Sequence, residues 1–442
     1  MTCVSALSAT VKRPRLQTVP AAWLAATPLR RALAVTVSWR IVIGLWGIIA
    51  HGLVPKGPYG SATLMHRGWS SNPFTLFIDA GVRMDGFWYA GIAQHGYGYT
   101  AGKLASIAFF PLYPAAIKLV SFGTGNVYVG GMLIATVSLF LAVWALQAWL
   151  DHRGMGASSA LAAGLMLCFP VGFFWASMYT ESLFLALALA TFVFFERDRW
   201  LLSAACAALA VLCRPTGLIL APCLAMMAVR RAGGFSFLAS CFSFVGTERR
   251  PWGSRFWNAA GQATWLRGSG SSGPTHRNQK RETRNQKLQT LLPVIAGPVA
   301  YAGFAAYQWV AFGSPLATVR ADQAPPFSRN LSEALSDLML RRPGFPSWYL
   351  AVLLGLGLIF LAAVPLVYRR FGLPYALFAA LAVLFPMSTG LVSLERYVMI
   401  DFPVFAAVAL TKTRAVPVAL MTLGFYISLG LMALFVNGYT II

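Results

Sequence analysis

Three acidic residues stand at the mouths of apolar segments, where a charge is costly unless it is paired or faces water. They are Asp85 in "RMDGFWY", Glu181 in "YTESLFLAL" and Glu395 in "SLERYVM", in a chain with only 13 acidic residues. Arg214 in "LCRPTG" and Arg396 are expected at the same level along their segments. Carboxylates and guanidiniums on one face are suited to deprotonating a hydroxyl and binding an anionic phosphate.

Each of these residues also has a purely structural alternative. Asp85 precedes a glycine, which is typical of a turn. Glu181 follows a threonine, which is typical of the first turn of a helix. The adjacent Glu395 and Arg396 are typical of a charged pair at a helix end. The sequence alone leaves both interpretations open for each residue.

Aromatic and histidine side chains follow the first of these acids. Trp88, Tyr89, Tyr97 and Tyr113 offer rings that either stack on sugars or anchor the chain at a membrane interface. His95 is a candidate for acceptor or sugar binding, although a loop histidine is more often simply hydrogen-bonded. No second ligand stands at metal spacing from it, so no metal site is predicted.

The composition places these residues in a membrane protein. Of the 442 residues, 58% are hydrophobic and 11% are charged, which lies outside the range of soluble globular domains. The formal charge of +22 comes from basic residues between apolar runs, so it indicates membrane topology and not nucleic-acid binding. The six cysteines have neither zinc-site nor disulfide-framework spacing.

Helices of roughly 20 apolar residues fit about eleven segments, which predicts an all-α polytopic membrane protein with a single integral-membrane domain. The segment 200–229 is expected to form two half-spans broken at Arg214 and not one kinked helix, because basic clusters then recur on the same side. The predicted segments are approximately 33–53, 128–150, 158–179, 181–196, 200–213, 215–229, 291–312, 348–368, 373–394, 397–411 and 415–437.

The same alternation assigns the connecting segments. The basic amino terminus, 1–32, and the basic loop 230–290 are predicted to be cytoplasmic, and the loop to be disordered. The loops 54–127 and 313–347 are predicted to lie outside, the first as the catalytic loop. Within it, 107–122 is expected to be a helix lying on the outer leaflet, because it is apolar but short and contains two prolines.

Several motifs resemble, in order and spacing, the GPI mannosyltransferase 2 (PIG-V-like) family of integral-membrane glycosyltransferases that use polyprenyl-phosphate sugars and have the C-type fold. They are "MDGFWYAGIAQHGY", "AFFPLYP", "YTESLFLAL", "CRPTG", "FGSPLA" and "ERYVMIDFPVF". The resemblance covers roughly residues 35–405, and its most specific part is the first pair of motifs. One residue departs from the family, because Met84 stands where a tryptophan is usual.

The resemblance implies transfer of mannose, with inversion, from dolichyl- or polyprenyl-phosphate mannose to a hydroxyl of a lipid-linked glycan. Asp85 matches the presumed catalytic base, and Arg214 and Arg396 are candidates to bind the donor phosphate. Glu181 would position the acceptor, hold an arginine or bind a divalent cation with Asp85. No tightly bound cofactor is expected, since the donor lipid carries an activated sugar. The expected partners are membrane lipids, the lipid-linked donor and a glycolipid acceptor.

Two alternatives stay open at this point. A transferase of the same fold that moves another sugar would need the same base and phosphate-binding groups. A lipid or solute transporter would carry charged or broken helices near the bilayer midplane, as Asp401 and the broken segment 200–229 suggest. The active site is predicted on the outer or luminal face, of the plasma membrane in a bacterium or the endoplasmic reticulum in a eukaryote.

Overall fold

The computed structural model describes residues 27–231, 289–322 and 346–440. Within these ranges the protein is entirely helical, and no β-strand forms. Most of the predicted basic amino terminus, of the 230–290 loop and of the 313–347 loop lies outside the described residues.

The helices are numbered in chain order. They are α1 (Pro28–Ala50), α2 (Pro73–Asp79), α3 (Asp85–His95), α4 (Leu112–Thr124), α5 (Val127–His152), α6 (Ser159–Leu167), α7 (Glu181–Glu196), α8 (Trp200–Cys213), α9 (Leu220–Arg231), α10 (Leu292–Phe312), α11 (Ala317–Asp322), α12 (Ser347–Phe371), α13 (Leu373–Thr389), α14 (Leu394–Val398), α15 (Phe402–Ala409) and α16 (Ala415–Val436).

Four of the helices in the described ranges, α1, α5, α12 and α16, are long and apolar enough to cross a membrane. Much of their surface is covered by apolar side chains that face away from the protein, as a lipid environment requires. These helices support the prediction of an α-helical membrane protein. The total of eleven spans stays a prediction.

The predicted continuous span 158–179 is wrong. Helix α6 ends after nine residues, and a short 3-10 turn covers Gly172–Ala176. Pro170 cannot donate a backbone hydrogen bond, which stops the helix. The chain then turns so sharply that a Cβ on Gly172 would stand 1.8 Å from the carbonyl oxygen of Leu167, a distance that only glycine tolerates.

The predicted span 397–411 is broken as well. Helix α14 ends at Val398 and α15 begins at Phe402, with Asp401 in a non-helical conformation between them. Pro403 stands near the start of α15, a position that suits proline, but it would break a helix that continued through it. The break leaves the buried Asp401 at a helix start.

The segment 200–229 forms two helices, as predicted. Arg214 has extended backbone angles (φ −154°, ψ 147°), which end α8. Helix α9 then runs back toward the start of α8. Its last residue, Arg231, ion-pairs with Asp198, and the Arg231 guanidinium lies 4.9 Å from the ring of Trp200 at the start of α8. The alternative of one kinked helix is excluded by this contact.

The basic residues that the charge alternation assigns to one side lie together at one end of the protein, here called the basic end. The contacts that join this end are the ion pairs Arg31–Asp151, Arg153–Glu196 and Arg231–Asp198 and the hydrogen bond from Arg370 to the Leu410 carbonyl. Each pair ties the end of one helix to another segment. The basic clusters are therefore spatial neighbours, as the alternation requires.

The helix predicted within 107–122 is present as α4. It buries Tyr113 and Ile117 on one face and exposes Leu119 and Phe122, whose side chains are 71% and 80% exposed. An exposed apolar face next to a packed one is typical of a helix lying on a membrane surface. Its depth in a bilayer stays a prediction.

Candidate functional site

Four of the predicted site residues meet at the end of the protein opposite the basic end. Arg396 donates from Nε and Nη2 to Oε1 of Glu181, at 3.0 and 2.9 Å, and from Nη2 to Oδ2 of Asp85 at 3.0 Å. Nη1 of Arg214 lies 3.1 Å from the same Glu181 oxygen. These four residues are called the ion cluster, and the expectation that they lie on one face is confirmed.

Helix ends place these side chains. Asp85 and Glu181 are the first residues of α3 and α7, Arg214 separates α8 from the turn before α9, and Arg396 lies in the short α14. Residues far apart in sequence therefore meet because the helices carrying them begin or end at one level. The structural interpretation of Glu181 as a residue of the first turn is also correct, since it occupies that position.

Burial differs within the ion cluster. The side chain of Glu181 is fully buried, those of Arg214 and Arg396 are 8% and 10% exposed, and that of Asp85 is 27% exposed. Two carboxylates and two guanidiniums balance in charge, which compensates part of the cost of removing them from water. Asp85 is the member that a substrate reaches most easily.

Aromatic rings cover the guanidiniums and were not predicted from the sequence. The Arg396 guanidinium lies 5.0 Å from the ring of Phe174 and 4.6 Å from that of Tyr179, and the Arg214 guanidinium lies 4.7 Å from the ring of Tyr397. Such contacts favour a cation at both positions. The signal in the sequence is the proximity of aromatics to the charged residues, as in "FFWASMYTE" and "ERY".

The electrostatic surroundings keep both arginines charged. Burial lowers the pKa of Arg396, but the carboxylates of Glu181 and Asp85 outweigh it and hold the pKa well above its ordinary value. Burial also lowers the pKa of Arg214, but the Glu181 carboxylate outweighs burial and raises the pKa above its ordinary value. The cluster therefore presents fixed positive charge.

Some hydrogen-bonding capacity in the cluster is unused. Among the described residues, Oε2 of Glu181 has no hydrogen-bond partner, and Nη1 of Arg214 makes only its 3.1 Å ion pair with Oε1 of Glu181, without hydrogen-bond geometry, although both atoms are buried. Buried polar atoms of this kind are usually satisfied by other groups in a native protein. The unused donor next to a second arginine suits an anionic ligand.

An open cleft of about 320 Å³ lies along α3. Its lining consists of Phe87, Trp88, Gly91, Ile92, His95, Gly96 and Ser106. Asp85, Trp88, Ile92 and His95 have helical spacing that puts them on one face of α3. Trp88 is 38% exposed and His95 is exposed, so both are accessible to a ligand, while Asp85 lies one turn before Trp88 and does not line the cleft.

Two tyrosines predicted as stacking surfaces, Tyr89 and Tyr113, are instead packed into the protein, and a third, Tyr97, is partly buried. Tyr89 is 5% exposed, and its ring meets those of Phe109 and Tyr113 at 5.2 and 4.9 Å. The Tyr113 hydroxyl donates to the Gly131 carbonyl at 3.2 Å, and the Tyr97 hydroxyl to the Phe109 carbonyl at 3.0 Å. The sugar-stacking prediction does not fit Tyr89 or Tyr113, because neither ring has a free face.

Glu395, predicted to bind acceptor or sugar, makes none of the ion-pair contacts that join the cluster. It is 7% exposed and interacts with the hydroxyl of Tyr349. Burial raises the pKa of Glu395 to about 7. Its neighbour Arg396 points to the cluster while Glu395 points to α12.

In the described part of the chain, no group of three or more His, Cys, Asp or Glu side chains is placed to bind a metal ion.

Comparison with protein-family models and with curated protein sequences finds no match for this chain. The resemblance to the GPI mannosyltransferase 2 family stays a prediction, and the arguments about function depend on the geometry of the ion cluster and the cleft.

Proposed function

We propose that the protein is a membrane glycosyltransferase that moves a sugar, mannose by its resemblance, from a dolichyl- or polyprenyl-phosphate donor to a hydroxyl of a lipid-linked glycan. The observation that carries this proposal is the ion cluster, in which Arg396 contacts both the accessible carboxylate of Asp85 and the buried carboxylate of Glu181. A base and two phosphate-binding groups side by side are what such a transfer needs.

Asp85 acts as the general base in the proposed reaction. The acceptor hydroxyl oxygen forms a bond to the anomeric carbon while its proton passes to the Asp85 carboxylate. The bond from the anomeric carbon to the phosphate oxygen breaks, and its electron pair leaves with the lipid phosphate. Attack from the face opposite the leaving group inverts the anomeric carbon.

The two arginines stabilise the departing phosphate. Nη1 of Arg214 is paired by charge with Oε1 of Glu181 at 3.1 Å but lacks hydrogen-bond geometry to it, and Nη1 of Arg396 takes no part in the three bonds that Arg396 makes to Glu181 and Asp85. Both atoms are available to phosphate oxygens, and guanidinium–phosphate bonds strengthen as negative charge develops. Glu181 holds both arginines in place, which is one of the three roles predicted for it.

The cleft along α3 is the proposed acceptor site. Trp88 is stacked on Phe109, with centroids 5.7 Å apart, and leaves one ring face accessible for a sugar. His95 lies at the other end of the cleft as a polar contact for acceptor hydroxyls. Asp85 does not line this cleft but stands one helical turn before Trp88, so an acceptor that extends past Trp88 toward the start of α3 would bring its hydroxyl near the base.

The test is sugar transfer in membranes from radiolabelled polyprenyl-phosphate mannose, with glucose and pentose donors compared in parallel. Asp85→Asn is expected to lower the transfer rate by about 1,000-fold, because a positioned base contributes on the order of 10²–10⁴. Asp151→Asn is the matched control, since Asp151 is equally exposed at 27% and also pairs with an arginine, but lies at the basic end.

The outcomes separate the alternatives. Transfer of only a non-mannose sugar keeps the mechanism and corrects the donor. Wild-type activity in the Asp85→Asn variant removes Asp85 as the base. Absence of a product from every polyprenyl donor tested contradicts the proposed function.

A lipid or solute transporter is the second candidate, favoured by Asp401. This residue is fully buried at the break between α14 and α15, where its carboxylate interacts with the backbone N–H of Val404 and forms no ion pair among the described residues. Buried carboxylates at broken helices are typical of transport pathways. Loss of solute movement in Asp401→Asn, without any sugar transfer by the wild type, would support this candidate.

A further inference from the structure

Arg83 makes an unusual set of contacts two residues before Asp85. It is 1% exposed, and its guanidinium makes five hydrogen bonds. Two go to the Val436 carbonyl at the end of α16, at 3.2 and 2.9 Å, and two to the carbonyls of Asp79 and Val82, at 2.7 and 2.8 Å. The fifth goes to the Asp79 carboxylate. One side chain thus joins the α2–α3 turn to the last long helix.

The partner carboxylate is equally fixed. Asp79 is fully buried, and its Oδ1 accepts from the Leu64 backbone N–H at 2.7 Å. Nε2 of His51 lies 3.4 Å from Oδ2, but burial lowers the pKa of His51 to about 4, so His51 is neutral at neutral pH. Arg83 is therefore the cation that balances Asp79. Asn437, also fully buried, ties the neighbouring Ala50 carbonyl to α16.

The backbone between Arg83 and Asp85 is strained. Met84 has φ 44° and ψ −108°, a conformation that side chains with a Cβ rarely adopt. Such a residue persists only where its surroundings fix it from several sides. The Tyr179 hydroxyl donates to the Arg83 carbonyl at 3.1 Å, and the Gly86 N–H donates to the same oxygen at 2.8 Å.

We infer that Arg83 is a positioning residue, which fixes the strained turn at Met84 and thereby holds the Asp85 carboxylate against Arg396. The five hydrogen bonds use all three nitrogen atoms of the Arg83 guanidinium, so Arg83 is not placed to contact a substrate. Its role in catalysis depends on the proposed function, because it acts through the base. Its role in fixing the turn does not depend on any reaction.

The substitution Arg83→Lys keeps the positive charge but cannot reach the Asp79 carboxylate, its carbonyl and the Val436 carbonyl together. The transfer rate, kcat, is expected to fall by about 100-fold with the KM for the donor unchanged, as expected when a base is displaced by about 1 Å. Arg31→Lys is the matched control, because Arg31 is a 4% exposed, ion-paired arginine at the basic end. Asp79→Asn is a second variant, which keeps the side-chain volume and removes the charge of the ion pair while Arg83 keeps its carbonyl partners, and it tests the same turn if Arg83→Lys does not fold.

A double-mutant cycle with Asp85→Asn distinguishes positioning from general loss of stability. If Arg83 acts through Asp85, the double variant is no slower than Asp85→Asn alone. Multiplied effects of the two substitutions would overturn the inference. So would full transfer activity in both Arg83→Lys and Asp79→Asn.

Amide hydrogen exchange in detergent tests the turn without any activity. Arg83→Lys is expected to speed exchange at residues 84–88 by at least about 10-fold while α5 and α12 stay protected. Arg31→Lys is expected to leave exchange at residues 84–88 unchanged. If the wild type transfers no sugar, the proposed function fails and this measurement alone decides whether Arg83 fixes the turn. Unchanged exchange at 84–88 in Arg83→Lys and Asp79→Asn would overturn the inference in either case.

Discussion

At the scale of single residues, Arg396 holds the site together. Arg396 donates hydrogen bonds to both carboxylates of the ion cluster. These carboxylates and the rings of Phe174 and Tyr179 stabilise its positive charge. Nη1 of Arg396 takes no part in these bonds, so in the proposed reaction a phosphate bound at that atom leaves the contact between Nη2 and Asp85 in place. The Asp85 carboxylate, 27% exposed, then stays positioned and accessible to the acceptor while the donor is bound.

Glu395 predicts a pH dependence of stability. Burial raises its pKa from 4.5 to about 7, so between these values the folded protein binds more protons than the unfolded chain. The free energy of unfolding therefore falls as pH rises through this interval, by roughly 3 kcal/mol in total. Glu395→Gln is expected to lack this fall and to be more stable than the wild type at pH 8. Denaturant unfolding at pH 5 and pH 8 measures it, and parallel pH profiles for the two proteins would contradict it.

At the scale of elements, two helices that carry cluster residues begin after a strained residue. Met84 precedes α3, and Ser393, with φ 63° and ψ 14°, precedes α14. The only other described non-glycine residue with positive φ is Asp198, at the basic end. The positive φ at Met84 and Ser393 changes the direction of the backbone just before α3 and α14, and the side chains of Asp85 and Arg396 meet. Backbone strain concentrated at one site is typical of functional positions.

Ser393→Gly is expected to stabilise the protein. A left-handed conformation costs a residue with a Cβ about 1–2 kcal/mol, which glycine does not incur, while the greater entropy that glycine loses on folding costs about 0.4–1 kcal/mol. The net gain in the free energy of unfolding is expected to be about 0.5–1 kcal/mol. Ser393→Ala keeps the Cβ and serves as the control, with no gain expected. Thermal unfolding compares the three proteins, and equal stability of the Gly and Ala variants would contradict the argument.

At the scale of the whole molecule, charged groups are divided between two ends. At the basic end, Glu196 accepts hydrogen bonds from Arg153 and from the Tyr375 hydroxyl, and these contacts join helices. At the other end, Oε2 of Glu181 has no hydrogen-bond partner among the described residues, and α3, which begins at Asp85, runs along an open cleft. We expect the first set to stabilise the helix packing and propose the second as the ligand site.

Glu196→Gln tests this division. It leaves the partly buried Arg153 without a countercharge and is expected to lower the free energy of unfolding by about 2 kcal/mol, less than for a fully buried pair. The transfer rate per folded molecule is expected to stay within about twofold of the wild type, since effects at distant sites are independent. Unfolding and activity are measured on the same preparation. A large fall in rate without loss of stability would show that the two ends are coupled.

The sequence by itself determined the helical membrane class, the grouping of basic residues at one end and the meeting of Asp85, Glu181, Arg214 and Arg396. Charge alternation indicates the side of the membrane on which each connecting segment lies, and residues on one side at the ends of neighbouring helices lie within reach of one another. The break at Arg214 was also predictable, because a proline follows it.

Only the tertiary structure decided which side chains make contacts and which are merely packed. Tyr89 and Tyr113 look like exposed aromatics in the sequence, yet their neighbours cover them. Glu395 and Arg396 are adjacent in the chain, but helical geometry directs them to different partners. Asp79 and Arg83 stand four residues apart, a spacing that favours an ion pair, but the two bonds from Arg83 to the Val436 carbonyl, 353 residues away, leave no trace in the sequence. A side chain that binds backbone atoms from distant helices leaves no local pattern, so its role depends on how those helices pack.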